Sequence, residues 1–152
     1  MKRIITISMW LLLIQASCAQ TNKIVFVCEH GSAKSVIAAT YFNKLAKENN
    51  LPWEAVARGT SPDQSISPKT KQLLVEDNLF DENFVPKKLS QEDVNAAKQV
   101  ILFYELPKTI QSKDNVQSWQ EVQAKNEDFK KLRDDIVLKI TPLIDSLKNV
   151  RH

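Results

Sequence analysis

Residues 23–46, KIVFVCEHGSAKSVIAATYFNKLA, decide the fold of this chain. The apolar, β-branched run that leads to Cys28 predicts a strand buried on both faces. Gly31 and Ser32 interrupt this run. Apolar residues then recur at helical spacing, which predicts a helix over residues 35–47. The stretch is therefore a strand, a short loop and a helix.

The rest of the chain continues to alternate between strand-like and helix-like patterns. We predict strands over residues 53–57 and 99–104, helices over residues 68–78 and 127–147, a short helix capped by Ser90, and an irregular segment over residues 107–123. Strands that alternate with helices imply a parallel sheet covered on both faces. No repeat or linker divides the pattern, so we expect one α/β domain.

The N-terminus has the layout of a secretory signal. Lys2 and Arg3 precede an uncharged apolar run at residues 4–14, which is too short to remain as a membrane-spanning anchor. Cys18 follows two small residues, as does the lipidated cysteine of a bacterial lipoprotein. Ordinary cleavage after Ala19 is the alternative. We therefore predict export to the periplasm or cell envelope, with a lipid anchor on Cys18 as the protein's membrane contact.

The remainder has the size and composition of a single domain. We assign residues 1–18 to the signal and residues 19–152 to one domain with one core. Without the two basic residues of the signal, 19 basic residues face 18 acidic ones, so nothing in the charge favours a nucleic-acid partner. If Cys18 is lipidated or removed, Cys28 stands alone and no internal disulfide is available. A disulfide therefore does not explain why the chain has a cysteine at position 28.

The loop over residues 28–35 has the features of an anion site. Ligands of open parallel sheets bind at the carboxyl ends of the strands, which is where Cys28 lies. Unpaired backbone N–H groups in such a loop and the dipole of the following helix both favour an anion. The same field favours the thiolate form of Cys28, which can attack the central atom of a bound phosphate or arsenate. Each residue also has an alternative interpretation without a function: Cys28 is an inert buried thiol, and Lys34 is a surface residue of the first helical turn.

These residues resemble the low-molecular-weight protein tyrosine phosphatase superfamily, which includes one class of arsenate reductases. Its hallmark is a cysteine, five residues, an arginine and then Ser or Thr, after a first strand. The likeness continues through Arg58-Gly59-Thr60, Pro68, Pro86-Lys87-Lys88-Leu89 and the strand at residues 100–104. It implies a three-layer α/β sandwich around a four-stranded parallel sheet, with the phosphatase loop after the first strand.

The resemblance assigns roles to the loop residues by position. Cys28 corresponds to the nucleophile and Ser35 to the hydroxyl that stabilises its thiolate. Gly31 stands where the family often has Asn, and both residues tolerate a left-handed backbone. The residues expected to surround the anion are Glu29, His30, Gly31, Ser32, Ala33 and Lys34. We expect no metal and no cofactor.

Two positions depart from the family pattern. Lys34 replaces the arginine, whose planar fork grips two phosphate oxygens where a lysine supplies a single point charge. The general-acid Asp, usually followed by Pro, corresponds to Gln123-Ala124, and a carboxamide cannot protonate a leaving group. Glu121 is our candidate for a substitute acid, and Asp114 is an alternative.

The expected function is that of a phosphatase-like hydrolase, with phosphate, arsenate or a phosphorylated substrate as its ligand. A module that binds such an oxyanion without turnover is the second hypothesis, which the departures at Lys34 and Gln123 favour. An arsenate reductase-like protein is another, and because Cys28 stands alone it would need an external thiol. A cysteine phosphoryl carrier is a further possibility that export disfavours.

Overall fold

A computed structural model describes residues 21–123 and 128–149 of the chain. The predicted signal and Cys18 lie outside the described residues, so their assignment stays a prediction. Strands and helices alternate along the chain: β1 Asn22–Cys28, α1 Lys34–Glu48, β2 Trp53–Gly59, α2 Pro68–Glu76, α3 Gln91–Ala96, β3 Gln99–Leu102, β4 Val116–Ser118 and α4 Phe129–Asn149. No helix in these ranges is long and apolar enough to cross a membrane.

The four strands form one parallel sheet in the order β2-β1-β3-β4. The central strand β1 has the burial expected of a strand covered on both faces, since Ile24, Val25, Phe26 and Val27 are all buried. Cys28 is the last residue of β1 and lies opposite Gly59, the last residue of β2. The predicted α/β fold with a four-stranded parallel sheet is confirmed.

Two clusters of buried side chains lie on opposite faces of the sheet. The larger cluster joins Ile24 and Phe26 of β1 to apolar residues of α1, α2 and α4. The smaller joins Val25 and Val27 to Val94 of α3 and to neighbouring loops. The alternation along β1 therefore assigns successive side chains to the two faces, which gives the three layers of the predicted sandwich.

Several boundaries differ from the sequence-based expectation. Strand β4 lies inside the segment predicted to be irregular. Two of its three residues are exposed and it has no apolar alternation, so its sequence does not indicate a strand. Strand β2 extends to Gly59, where residues 87–89 bond to its outer edge. Strand β3 ends at Leu102. Helix α2 ends at Glu76, and Asn78 follows in a left-handed conformation with φ 57°.

Candidate active site

The loop over residues 28–35, hereafter the cradle loop, joins the carboxyl end of β1 to α1. Cys28 and Ser35 are both buried, and the Cys28 Sγ lies 3.1 Å from the Ser35 Oγ. The backbone N–H of Gly31 donates to the same sulfur at 3.2 Å. Two hydrogen-bonding groups therefore converge on the thiol, and both stabilise a sulfur that carries negative charge. This is the arrangement that the resemblance implied for Cys28 and Ser35.

The backbone of the cradle loop is oriented by the segment over residues 60–67, which follows β2. The amides of Thr60, Ser61, Asp63 and Ser67 donate in turn to the carbonyls of residues 28, 29, 30 and 32, at 3.0, 2.8, 3.0 and 3.1 Å. In a trans peptide the C=O and N–H groups point in opposite directions. Because these carbonyls face the outer segment, the N–H groups of the same peptides face inward, as the Gly31 N–H does. The result is the concave set of donors that favours an anion.

The only two glycines in the sequence pack against each other beneath this loop. Gly31 has φ 61°, a left-handed conformation that L side chains rarely adopt. A Cβ on Gly31 would lie 2.9 Å from the backbone nitrogen of Gly59, and a Cβ on Gly59 would lie 2.7 Å from the backbone nitrogen of Gly31. The sharp turn of the loop therefore depends on the absence of a side chain at both positions.

Lys34 is held among backbone and side-chain oxygens. Its Nζ lies 3.5 Å from the carbonyl of Phe103, 3.4 Å from the carbonyl of Val122 and 3.4 Å from the Oε1 of Gln123. Burial lowers the pKa of Lys34, and the negative charges of Cys28 and Glu29 oppose that shift. Because all three contacts are long, the ammonium ties the segments after β3 and β4 to the cradle loop only weakly.

The segment after β4 contains Glu121, the candidate for the missing acid, and Gln123, which stands in place of the family's Asp. Trp119 is buried, and its ring packs against the rings of Phe26 and Phe103. Gln123 lies next to Lys34, which is the position that the alignment with the family suggested. The Glu121 carboxylate instead forms an ion pair with Lys139 of α4, and the hydrogen bond from Lys139 lowers the pKa of Glu121. Glu121 is therefore charged and committed to α4 in this structure.

Asp114, the alternative acid, lies among residues at the amino ends of β3 and β4, which line a separate hollow. The cradle loop lies at the opposite, carboxyl end of the sheet. The structure therefore does not bring Asp114 to Cys28.

The structure adds Asp63 to the site, a residue that the sequence did not single out. The Ser32 hydroxyl donates to Asp63 Oδ2 at 2.5 Å, and His30 Nδ1 lies 3.4 Å from Asp63 Oδ1. His30 Nε2 lies 3.6 Å from Glu29 Oε2. These four side chains form a polar rim beside the cradle loop. The position of Asp63 after β2, at the carboxyl end of a neighbouring strand, is the signal that would have indicated it.

A groove that is larger than the hollow beside Asp114 lies away from the cradle loop. It has a volume of about 430 Å³, runs along the outer edge of β2, and is lined by residues of α1, by residues 55–58 of β2 and by most of residues 79–85. None of residues 28–35 lines it. Within the described part of the chain, no group of three or more His, Cys, Asp or Glu side chains is placed to hold a metal ion. The candidate site is therefore the cradle loop and its rim.

The family model for low molecular weight phosphotyrosine protein phosphatases matches residues 23–127. The chain belongs to this family. The matched range includes the cradle loop, the rim and the segment that carries Gln123. Members of the family are phosphatases and arsenate reductases, which supports the expectation of an enzyme. A search of curated protein sequences finds no match.

Solved structures with several activities share the fold. The low molecular weight protein tyrosine phosphatase from T. tengcongensis is 21% identical, with a TM-score of 0.74 over 82% of this chain and 99% of that one. The YwlE arginine phosphatase from Geobacillus stearothermophilus is 20% identical, with a TM-score of 0.67 over 86% and 95%. A thioredoxin-dependent arsenate reductase from Corynebacterium glutamicum is 20% identical, with a TM-score of 0.71 over 88% and 65%. At these identities the comparison shows the fold alone.

Proposed function

We propose that the protein is a phosphatase-like hydrolase that binds a phosphate-type oxyanion in the cradle loop and uses the Cys28 thiolate as its nucleophile. The observation that carries this proposal is the convergence of the Ser35 hydroxyl and the Gly31 N–H on the Cys28 sulfur. Both groups are placed to donate to a Cys28 thiolate, which is the nucleophilic form of the side chain. The inward N–H groups of the loop supply the matching site for the anion.

The reaction is a two-step displacement at phosphorus. The Cys28 sulfur attacks the phosphorus atom of a bound phosphoester, an S–P bond forms, and the bond to the leaving oxygen breaks. Water then attacks the thiophosphate, the S–P bond breaks and inorganic phosphate leaves. Backbone N–H groups of the loop, together with the Lys34 ammonium, stabilise the charge on the phosphoryl oxygens in both steps.

The experiment is turnover of p-nitrophenyl phosphate by the wild type and by Cys28→Ser. This ester has a good leaving group and needs little acid catalysis, so Gln123 is no obstacle to it. We expect turnover by the wild type and none by Cys28→Ser, with phosphate binding retained because the loop backbone is unchanged. Equal activity of the two proteins would contradict the proposal.

The second candidate is a module that binds an oxyanion without turnover. The contacts of Lys34 favour it, since its ammonium lies among the oxygens of Phe103, Val122 and Gln123 and provides no arginine fork. Phosphate-dependent thermal stabilisation with no turnover would support this candidate. If the site has lost activity by substitution, Lys34→Arg combined with Gln123→Asp will raise turnover above that of the wild type.

Arsenate reduction is the remaining candidate from the same family. In the described part of the chain Cys28 is the only cysteine, and it is free. A reductase built on Cys28 alone needs an external thiol to release the oxidised sulfur. Arsenate-dependent consumption of glutathione or thioredoxin by the wild type, abolished in Cys28→Ser, would favour this function over hydrolysis.

A further inference from the structure

The leaving oxygen of a phosphoester needs a proton, and the segment that usually supplies it cannot do so here. Gln123 has no acidic proton, and Glu121 is ion-paired with Lys139. Esters with basic leaving groups depend on such a donor, which contributes about 10²–10⁴-fold. If the protein is the proposed hydrolase, another residue must take over this step.

His30 lies two residues after Cys28, in the cradle loop itself. Its backbone carbonyl accepts from the Asp63 amide at 3.0 Å, so its main chain is fixed to the segment after β2. Its imidazole lies between two carboxylates, with Nδ1 3.4 Å from Asp63 Oδ1 and Nε2 3.6 Å from Glu29 Oε2. The side chain remains 57% exposed, so the imidazole is accessible from solvent.

Asp63 is itself held in place on its other side. The Ser32 hydroxyl donates to Asp63 Oδ2 at 2.5 Å, and Ser32 is buried. One oxygen of the Asp63 carboxylate therefore accepts from Ser32 of the cradle loop, and the other lies near the His30 imidazole. Asp63 thus lies against the Nδ1 side of the ring, and the more distant Glu29 carboxylate lies at Nε2.

We propose that His30 is the general acid of this protein and that Asp63 is its positioning residue. As the Cys28 sulfur forms its bond to phosphorus, the bond to the leaving oxygen breaks and that oxygen takes the Nε2 proton of His30. In the second step the neutral imidazole takes a proton from the attacking water, the S–P bond breaks, and the imidazolium is restored. Protons and electron pairs balance over the cycle without any further reactant.

The charges around His30 agree with this role. The groups that face it are the carboxylates of Glu29 from its own loop and of Asp63 from the segment after β2. Imidazole exchanges protons near neutral pH, where a donor works best. The same two carboxylates repel a phosphate dianion, so the protonated imidazole also offsets charge at the mouth of the cradle.

The test compares two esters that differ in their need for a proton. Phenolate is a much stronger base than p-nitrophenolate, so phenyl phosphate depends on the acid far more than p-nitrophenyl phosphate does. For His30→Gln we expect kcat/KM with phenyl phosphate to fall about 100-fold or more, with a loss at least tenfold smaller for the activated ester. Asp81→Asn, an exposed carboxylate outside the site, serves as the matched control and should change neither value.

The pH dependence separates catalysis from a structural role. With phenyl phosphate, kcat/KM of the wild type should show an alkaline decline that His30→Gln lacks, because a general acid acts only in its protonated form. Asp63→Asn should lower kcat/KM with phenyl phosphate more than with p-nitrophenyl phosphate, because the imidazole loses the group that positions it. Equal losses with both esters, or an unchanged alkaline limb in His30→Gln, would overturn the assignment. Absence of wild-type turnover on both esters would remove the hydrolase function and this role with it.

Discussion

Replacing Gly31 with Ala tests how strictly the cradle depends on its backbone. The φ of 61° is left-handed, and an alanine there costs about 1–2 kcal/mol. Its Cβ would also lie 2.9 Å from the nitrogen and 3.1 Å from the Cα of Gly59. These are main-chain atoms of a sheet strand that cannot rotate away, and such overpacking costs about 1–3 kcal/mol. We therefore expect the free energy of unfolding to fall by about 2–5 kcal/mol.

The assay is urea unfolding, with and without phosphate, of the wild type, Gly31→Ala, Gly31→Asn and Gly59→Ala. Asparagine tolerates the left-handed region, so Gly31→Asn should avoid part of the conformational cost. The steric cost of its Cβ should remain. A fourth variant that combines Gly31→Ala with Gly59→Ala should be non-additive, because both added methyl groups compete for the same gap. Phosphate should stabilise Gly31→Ala less than the wild type. A loss below about 1 kcal/mol, with unchanged phosphate binding, would refute the reasoning.

Three further predictions concern residues around the site and the fold. Burial lowers the pKa of Lys34 below its ordinary value of 10.5, so phosphate affinity should fall as pH rises toward that value, and Lys34→Arg should remove this dependence in titrations at constant ionic strength. Burial raises the pKa of Asp93, but the hydrogen bonds from Arg58 and Ser90 outweigh it and leave the value below 3.8. The Arg58–Asp93 pair thus stabilises the fold above that pH and is lost as pH falls through the lowered value. Asp93→Asn should cost about 1–3 kcal/mol at pH 7, and less in acid, by urea unfolding. The Tyr41 hydroxyl donates to Asp77, which also accepts from Arg133 at 3.0 Å, so Tyr41→Phe should cost about 1–3 kcal/mol in the same assay, with Tyr104→Phe, an exposed tyrosine, as the control.

The sequence predicted the features that local pattern determines. The run into Cys28 is apolar on both faces, and the structure buries it on both faces. Ser90 was predicted as a helix cap, and it forms a capping box with Asp93. The position of Cys28 at a strand end and of Ser35 in a first helical turn followed from periodicity, and the family pattern added their pairing.

What escaped the sequence depends on contacts between distant segments. Strand β4 has three residues, and only Val116 is apolar, so its existence rests on pairing with β3. The hydrogen bond between Ser32 and Asp63 joins positions 31 residues apart. The pattern of apolar residues along the chain does not predict such a contact. The same holds for Glu121, whose partner Lys139 lies on α4. Side-chain partners of this kind are fixed by the packed fold and not by the local chain.

The measurement that tests the central claim most directly is a search for phosphate on Cys28. The wild type is mixed with p-nitrophenyl phosphate, quenched in acid within the first turnovers, and its peptides are analysed by mass spectrometry, with Cys28→Ser as the control. We predict a phosphoryl group on the peptide that contains Cys28 in the wild type and no such cysteine adduct in the control. Steady turnover without any adduct on Cys28, or an adduct on another residue of the wild type, would contradict the account.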